Sequence, residues 1–502
     1  MYTHNQNQMI MPEDFFLPFE GQLNPDNRWV RMASLIPWAE VESGYIKQLG
    51  DTNQGSRAKS ARLALGALII KETLGLSDEE TVETVTENPY MQYFLGLEAF
   101  KDEPPFEASA MTHFRKRFDA HYINTLNERM VEMQQAAESE PYDTTDTPEN
   151  DEDHNPPPPP AGDGSDSQSK QSSPNQGKLM LDATCAPADI QYPTDLRLLN
   201  TAREKLEAMI DTLHAPFVSQ QAKPRTYRKK ARKQYLAVAK QRRPGLDKIR
   251  NGIHQQLRYV QRNLKHVATL ANKNGLASLS PSQYRDLLVI QELHRQQDKM
   301  FEEKTAGIDD RIVSIRQPHV RPIVRGKMNA PVEFGAKLSV SLVDGYAFLD
   351  VLSWDPYHEG KGLQASVEQY RQRYGHYPEA VLADTIYRTR ENRKYCQTHG
   401  IRLSGPKLGR PAKDAQINAD QKRIEYQDAS ERNAIEGKFG EGKRRYGLGR
   451  ISACLQKTSE TVIALNFLVM NIGKVLRDAF FSFLFRFVFC FRVNHRIEPV
   501  IH

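Results

Sequence analysis

Cysteine is scarce in this chain. Four cysteines are spread over 502 residues, Cys185, Cys396, Cys454 and Cys490, with no CxxC pair and no Cys/His spacing suited to zinc. That excludes a disulfide scaffold and a zinc module, and the chain reads as one that works in a reducing cytoplasm. Long apolar runs are missing too. The polar, acidic start from Met1-Tyr2-Thr3-His4 does not resemble a cleaved signal peptide. The aromatic run Phe480 to Val493 has fourteen residues and is broken by Arg486 and Arg492, short of the roughly twenty that cross a bilayer. No membrane partner is expected.

Charge is close to balanced overall, at +5, but not locally. From Lys223 to Lys265 fifteen Lys and Arg face a single acid, Asp247, whereas Glu138 to Asp166 holds ten acids and no Lys or Arg. A run of one sign is usually a solvated face, yet polarity this strong is hard to explain without a polyanion. Arg228, Lys229, Lys230, Arg232 and Lys233 are the candidates for following a phosphate backbone, with Tyr227, Tyr235 and Tyr259 among them to cover sugars or bases. Asn329 to Gly335 and Lys407-Leu408-Gly409-Arg410-Pro411 read as basic loops that lie against DNA.

Three acids stand out by context. Lys178-Leu179-Met180-Leu181-Asp182 and Glu379-Ala380-Val381-Leu382-Ala383-Asp384 are each an apolar run, read as a buried strand, with an acid at its end. Acids at strand ends of a buried sheet stand where α/β folds place ligands and chemistry. The third is Glu436, with Arg432 four residues before it and Lys443 seven after it in a helix-compatible run. Those offsets put a guanidinium, a carboxylate and an ammonium on one helix face. Each acid taken alone has a plainer reading as a turn cap or a solvated helix residue. Their joint order makes Asp182, Asp384 and Glu436 one candidate site, with Glu431 and Glu441 as the nearest confusions.

With these motifs in view, the chain resembles the DDE transposases of bacterial insertion sequences, of the IS-five-like group. That group's C-terminal signature (Arg, three residues, Glu, six residues, Lys) fits Arg432, Glu436 and Lys443, while the Tyr expected three residues before the Arg is Ala429 here. The similarity runs over most of residues 15 to 478. In an InsH-type N-terminal domain it rests on Arg57 to Leu74, Glu87-Asn88-Pro89-Tyr90, Phe94-Leu95-Gly96 and Phe114-Arg115-Lys116-Arg117. The resemblance implies an α/β, RNase H-like mixed sheet flanked by helices. It implies that Asp182, Asp384 and Glu436 are both catalytic residues and ligands for Mg²⁺ or Mn²⁺, two ions in all. It also implies double-stranded DNA as partner, both element ends and target, and a homodimer on that DNA in the nucleoid.

The expected organisation has four parts. Residues 1–137 form an all-α DNA-binding domain, in which Ala61 to Leu74 reads as a buried helix and Ser77-Asp78-Glu79-Glu80 as the capped start of the next. A helical dimerisation or packing domain is the alternative reading. Residues 138–177, with five consecutive prolines from Pro156 to Pro160, form a disordered tether. Residues 178–478 form the catalytic domain, in which a helical basic insertion at about 196–330 accounts for the 202-residue gap between Asp182 and Asp384. Its hairpin is placed at Ala336 to Trp354, with Asp344-Gly345 as the turn. Residues 479–502 are an apolar tail with no assigned role.

Carboxylates suit hard divalent cations, which can activate water or a 3′-hydroxyl and stabilise the leaving oxygen. Without a cation the three would raise one another's pKa. Arg432 and Lys443 are placed to neutralise phosphates, and Trp354 is weighed as a stacking platform for an extruded base against a core or turn role. Terminal-repeat binding with metal-dependent cleavage and strand transfer is the expected function. A DNA-binding relic and an RNase H-like nuclease that cuts without strand transfer stay open as alternatives.

Overall fold

A strand of ten residues, β1 (Lys178–Pro187), carries the first acid and pairs on both sides. The computed structural model describes residues 11–18, 21–49, 58–139, 174–324, 332–406, 409 and 415–494. On one side β1 runs antiparallel to β3 (Val332–Val343), which forms a hairpin with β4 (Tyr346–Ser353) and also pairs with the short β2 (Arg321–Val324). Asp344 and Gly345 turn that hairpin with positive φ at both positions, 49° and 80°, as a two-residue hairpin loop requires. On the other side β1 runs parallel to β5 (Ala380–Ala383), and β5 to β6 (Arg402–Leu403). The antiparallel strands β1, β3 and β4, with the short β2 added on β3, are followed by the two parallel strands β5 and β6, with helices Leu363–Tyr374 and Arg390–Thr398 as crossovers and Ala415–Arg445 after β6, which is the α/β order the resemblance implies.

Between β1 and β2 the chain leaves the sheet for four helices, Asp195–His214, Arg228–Ala239, Leu246–Asn274 and Pro281–Glu303. Three of them, all but Arg228–Ala239, enclose a separate apolar core around Leu206, Ile210, Val260, Ile290 and Leu293. The insertion therefore has a hydrophobic interior of its own and leaves the register of the sheet undisturbed.

The N-terminal region is all helical. Ala61–Leu74 is buried nearly all round, and the next helix starts with a full capping box: Glu80 N–H donates to Ser77 Oγ at 3.1 Å and Ser77 N–H to Glu80 Oε2 at 2.7 Å. These helices do not form a core of their own. Residues from Leu65 through Phe118 share one apolar cluster with β1, β3 and the C-terminal helix Gln456–Asn494. Asn471 on that helix donates to Asn127 Oδ1 at 2.9 Å and to the Ala347 carbonyl at 2.8 Å. Thr461 Oγ1 donates to the Phe118 carbonyl at 2.7 Å, and Arg373 Nη2 lies 2.5 Å from Glu128. The Gln456–Phe481 stretch is long and apolar enough to cross a membrane, but most of it is buried inside the protein. Its apolar perimeter is explained by packing on three sides. Most of the expected tether, 140–173, lies outside the described residues, as do the Lys407-Leu408 and Arg410-Pro411 parts of one expected basic loop and 329–331 of the other; residues 332–335 of the latter are not loop but the start of β3, paired with β2.

Candidate functional site

Parallel pairing between β1 and β5 ends at the rung Leu181↔Ala383, so Asp182 is the next residue on β1 and Asp384 the first residue beyond β5. They stand side by side where the hydrogen-bonded ladder opens. One detail departs from the sequence reading: Asp182 does not end its strand, because β1 continues to Pro187 against β3. What ends at Asp182 is the pairing with β5. Asp384 caps the 3₁₀ turn Thr385–Tyr387 and accepts from Thr385 N–H at 2.6 Å, with its side chain exposed.

Glu436 comes from the Ala415–Arg445 helix, which crosses the sheet on the face toward which Lys178 and Asp182 project. Lys178 Nζ holds Glu431 at 2.8 Å, and the next residue, Arg432, reaches both acids: Nη1 is 3.8 Å from Asp182 Oδ2 and Nη2 is 3.5 Å from Glu436 Oε1. The guanidinium thus stands between two carboxylates from distant parts of the chain. The two possible confusions are committed elsewhere, Glu431 to Lys178 and Glu441 to Arg477 and Lys438, the latter two at 2.8 and 3.3 Å. Lys443 lies on the same helix, half-buried, about 10 Å further along its axis than Glu436.

Burial pushes the Asp182 carboxyl above its ordinary range; the Ala183 N–H and Arg432 oppose this, while Glu359 and Glu436 add to it. Glu359, an acid the sequence reading did not single out, sits on the 3₁₀ turn Glu359–Gly362 and is held 2.8 Å from Lys337 of β3. That turn packs tightly on the one after Asp384. A Cβ on Gly360 would stand 2.6 Å from the Ile386 carbonyl, and buried Asn392 donates to the carbonyls of Gly360 and Tyr387 at 2.6 and 2.8 Å. No periodic pattern marks these positions in the sequence. Gly360 is their one hint.

The donor set suits hard cations, since all three candidate ligands are carboxylates and the most buried of them lacks full charge compensation. Among the described residues no three acids, histidines or cysteines are close enough to hold an ion as they stand. Asp182 and Glu436 are held apart by Arg432, and the three would have to draw together around the ion.

The basic face is placed more selectively than its composition implied. Lys229, Lys230, Arg232 and Lys233 are exposed on the Arg228–Ala239 helix. Arg228 instead makes a bidentate pair with Asp211, at 2.8 and 3.1 Å, on a carboxylate that Lys223 also reaches. Tyr227 and Tyr259 flank the Arg262 guanidinium at 5.0 and 4.9 Å, so their rings already face a cation. Trp354 is 6% exposed, donates to Glu460 at 2.8 Å and meets His319 edge-on at 4.4 Å. It is a core residue, not a platform for a base.

Two family models match the chain: a transposase DDE domain over residues 381–473, and a transposase domain (DUF772) over residues 17–117. The first holds Asp384, Arg432, Glu436 and Lys443, in the geometry just described. Both stretches are thus similar to transposase domains. A curated relative, the uncharacterized protein ORF8 in the nfe locus of Rhizobium meliloti, is 40% identical over 113 residues, 22% of this chain and 52% of that protein. The chain thus spans about half the length of the relative it matches. No solved structure matches it.

Proposed function

We propose that this chain is a transposase that binds the terminal inverted repeats of its own element as a homodimer, in the cytoplasm on nucleoid DNA, and catalyses cleavage and strand transfer there. The observation that carries the reading is that Asp182 and Asp384 stand one residue beyond the last shared rung of β1 and β5, while Arg432 lies between Asp182 and Glu436, more than 250 residues apart in the chain. Water or a 3′-hydroxyl gives up its proton to solvent and attacks phosphorus in line, the bond to the opposite oxygen breaks, and the leaving oxygen takes a proton from solvent. No protein nucleophile is needed, because the step is positioning and charge neutralisation. Asp182, Asp384 and Glu436 would hold Mg²⁺ or Mn²⁺, two ions in this reading, which when bound supply Lewis-acid stabilisation of the attacking and leaving oxygens. Arg432, displaced from the carboxylates, is positioned to fork onto a phosphate. Lys443 neutralises charge further along the strand. The N-terminal helices supply preference for the element's ends, since phosphate contacts carry no sequence information.

The test is to incubate the protein with Mg²⁺ and a plasmid bearing the DNA that flanks its own gene, and to sequence the products. Breaks at the element boundary joined to new target DNA support the reading. Cuts without joining would make the chain a nuclease, and intact plasmid with retained end binding would make it a relic.

A further inference from the structure

Four residues before Asp182 and Asp384, the sheet carries two cations on one rung. Lys178 of β1 is level with Ala380 of β5, and Ala380 with Arg402 of β6, so the three share one face across neighbouring parallel strands. Asp182, an even number of residues beyond Lys178 on the same strand, projects from that face too. The Ala415–Arg445 helix packs on β1 and β5 and meets both cations with acids one turn apart. Asp428, 4% exposed, binds Arg402, and Glu431 holds Lys178 at 2.8 Å. Between these contacts the sheet presents only the methyl group of buried Ala380, which leaves the helix room to cross. One residue after Glu431 the signs reverse, and Arg432 of the helix stands 3.8 Å from Asp182 of the sheet. Buried Ile435 and then Glu436 follow.

Helix and sheet are thus matched by a charge pattern, with acids over the cations of the rung and a cation over the acid beyond it. A slip of four residues along the helix in one direction would bring Arg432 to Arg402, and in the other Asp428 to Asp182. Either way like charge meets like, so the observed register is the one the charges favour. A half-exposed ion pair such as Lys178 with Glu431 adds little to overall stability, so placement is the larger part of what it does. We propose that Lys178 and Arg402 are positioning residues, which set the height at which the helix crosses the sheet and so deliver Glu436 and Arg432 beside Asp182. The inference rests on the metal-dependent cleavage reading above. Their rung lies about 13 Å before Asp182 along β1, and Glu431 lies about 7.5 Å before Glu436 along the helix. Their effect on the acids therefore runs through the helix.

The experiment compares the full chain with Lys178→Gln, Arg402→Gln, Lys178→Glu and the exchanged pair Lys178→Glu with Glu431→Lys. Each is measured for Mn²⁺ affinity by calorimetry, for melting temperature, for duplex binding and for cleavage of plasmid bearing the DNA that flanks the gene. The single variants should bind Mn²⁺ about tenfold more weakly, the scale of loss when the support behind a ligand is removed, and cleave more slowly. Their duplex binding and melting temperature should stay close to the parent's. The exchanged pair should recover both Mn²⁺ affinity and cleavage, because it restores the attraction between the same two positions. Where Lys178→Glu does not fold, the two Gln variants decide. Parent-like Mn²⁺ affinity and cleavage in both Gln variants would overturn the positioning role and leave the transposase reading intact. So would losses that track a lowered melting temperature, or an exchanged pair that melts like the parent yet stays as impaired as Lys178→Glu. A parent chain that neither binds Mn²⁺ nor cleaves would overturn both.

Discussion

Asp182 on β1 and Asp384 just past the end of β5 each stand one residue beyond the last rung the two parallel strands share, though 202 positions separate them in sequence. That relationship makes the helical insertion tolerable. The insertion leaves after β1 and returns before the hairpin, so the two strands that bring the acids together stay paired side by side.

The Asp182 carboxyl is raised chiefly by burial, which gives a signed prediction for the ion-free protein. The folded state holds this proton more tightly than the unfolded chain, whose carboxyl titrates near 3.8. Stability is therefore lost as pH rises from that value through the folded pKa. Asp182→Asn should melt higher than the parent at neutral pH without metal, and the difference should vanish below about pH 4. A lower melting temperature for the variant at pH 7 would mean that Asp182 is a net structural contributor through Arg432.

Arg432 occupies the space between Asp182 and Glu436 as an internal counter-ion. Arg432→Met should bind Mn²⁺ more tightly than the parent in a calorimetric titration, because the ion no longer competes with the guanidinium, and yet cleave more slowly. Weaker ion binding would show that Arg432 organises the carboxylates instead of screening them.

A second pH effect comes from the seam between the N-terminal helices and the catalytic unit. Glu72, on Ala61–Leu74 and beside Gly447, is pushed up to about 7 by burial, with Asp78 adding to the rise and Lys71 and Arg115 opposing it. The same sign applies: stability falls between about pH 4.5 and 7, by about 3 kcal/mol if the whole shift is expressed. Glu72→Gln should flatten denaturation midpoints across that range, and an unchanged pH profile would show that Glu72 is ionised in the fold.

Much of the sheet was legible because its strands are short apolar runs that end in acids or turn residues, and because Asp344-Gly345 has one common use between two such runs. The Glu436 helix was legible from its charge offsets. The shared core of the N-terminal and catalytic regions was not, since a pattern of separate helices does not say which surfaces meet. Two helices that are apolar all round, Ala61–Leu74 and the Val462 to Val475 part of the C-terminal helix, hinted that neither was packed on one side alone. The Glu359 turn was hidden for another reason: its place beside Asp384 depends on a close backbone approach at Gly360, which leaves no periodic trace.

For the basic helix, changing Lys229, Lys230, Arg232 and Lys233 together to Gln should weaken duplex binding on all sequences alike. The log-log salt slope should fall by about 0.9 for each phosphate that is no longer neutralised. Arg228→Gln, which breaks the Asp211 pair, should instead lower stability with little change in slope. An unchanged slope in the fourfold variant would mean that this face meets only solvent.

The measurement that bears most directly on the site is parallel end binding and cleavage by Asp182→Asn, Asp384→Asn and Glu436→Gln on flanking-DNA plasmid in Mg²⁺. All three should bind element ends within a few-fold of the parent and yield no cleaved or joined products, whereas Lys443→Ala keeps a reduced activity. Robust strand transfer by any one of the three acid variants would contradict the assignment of that acid to the site.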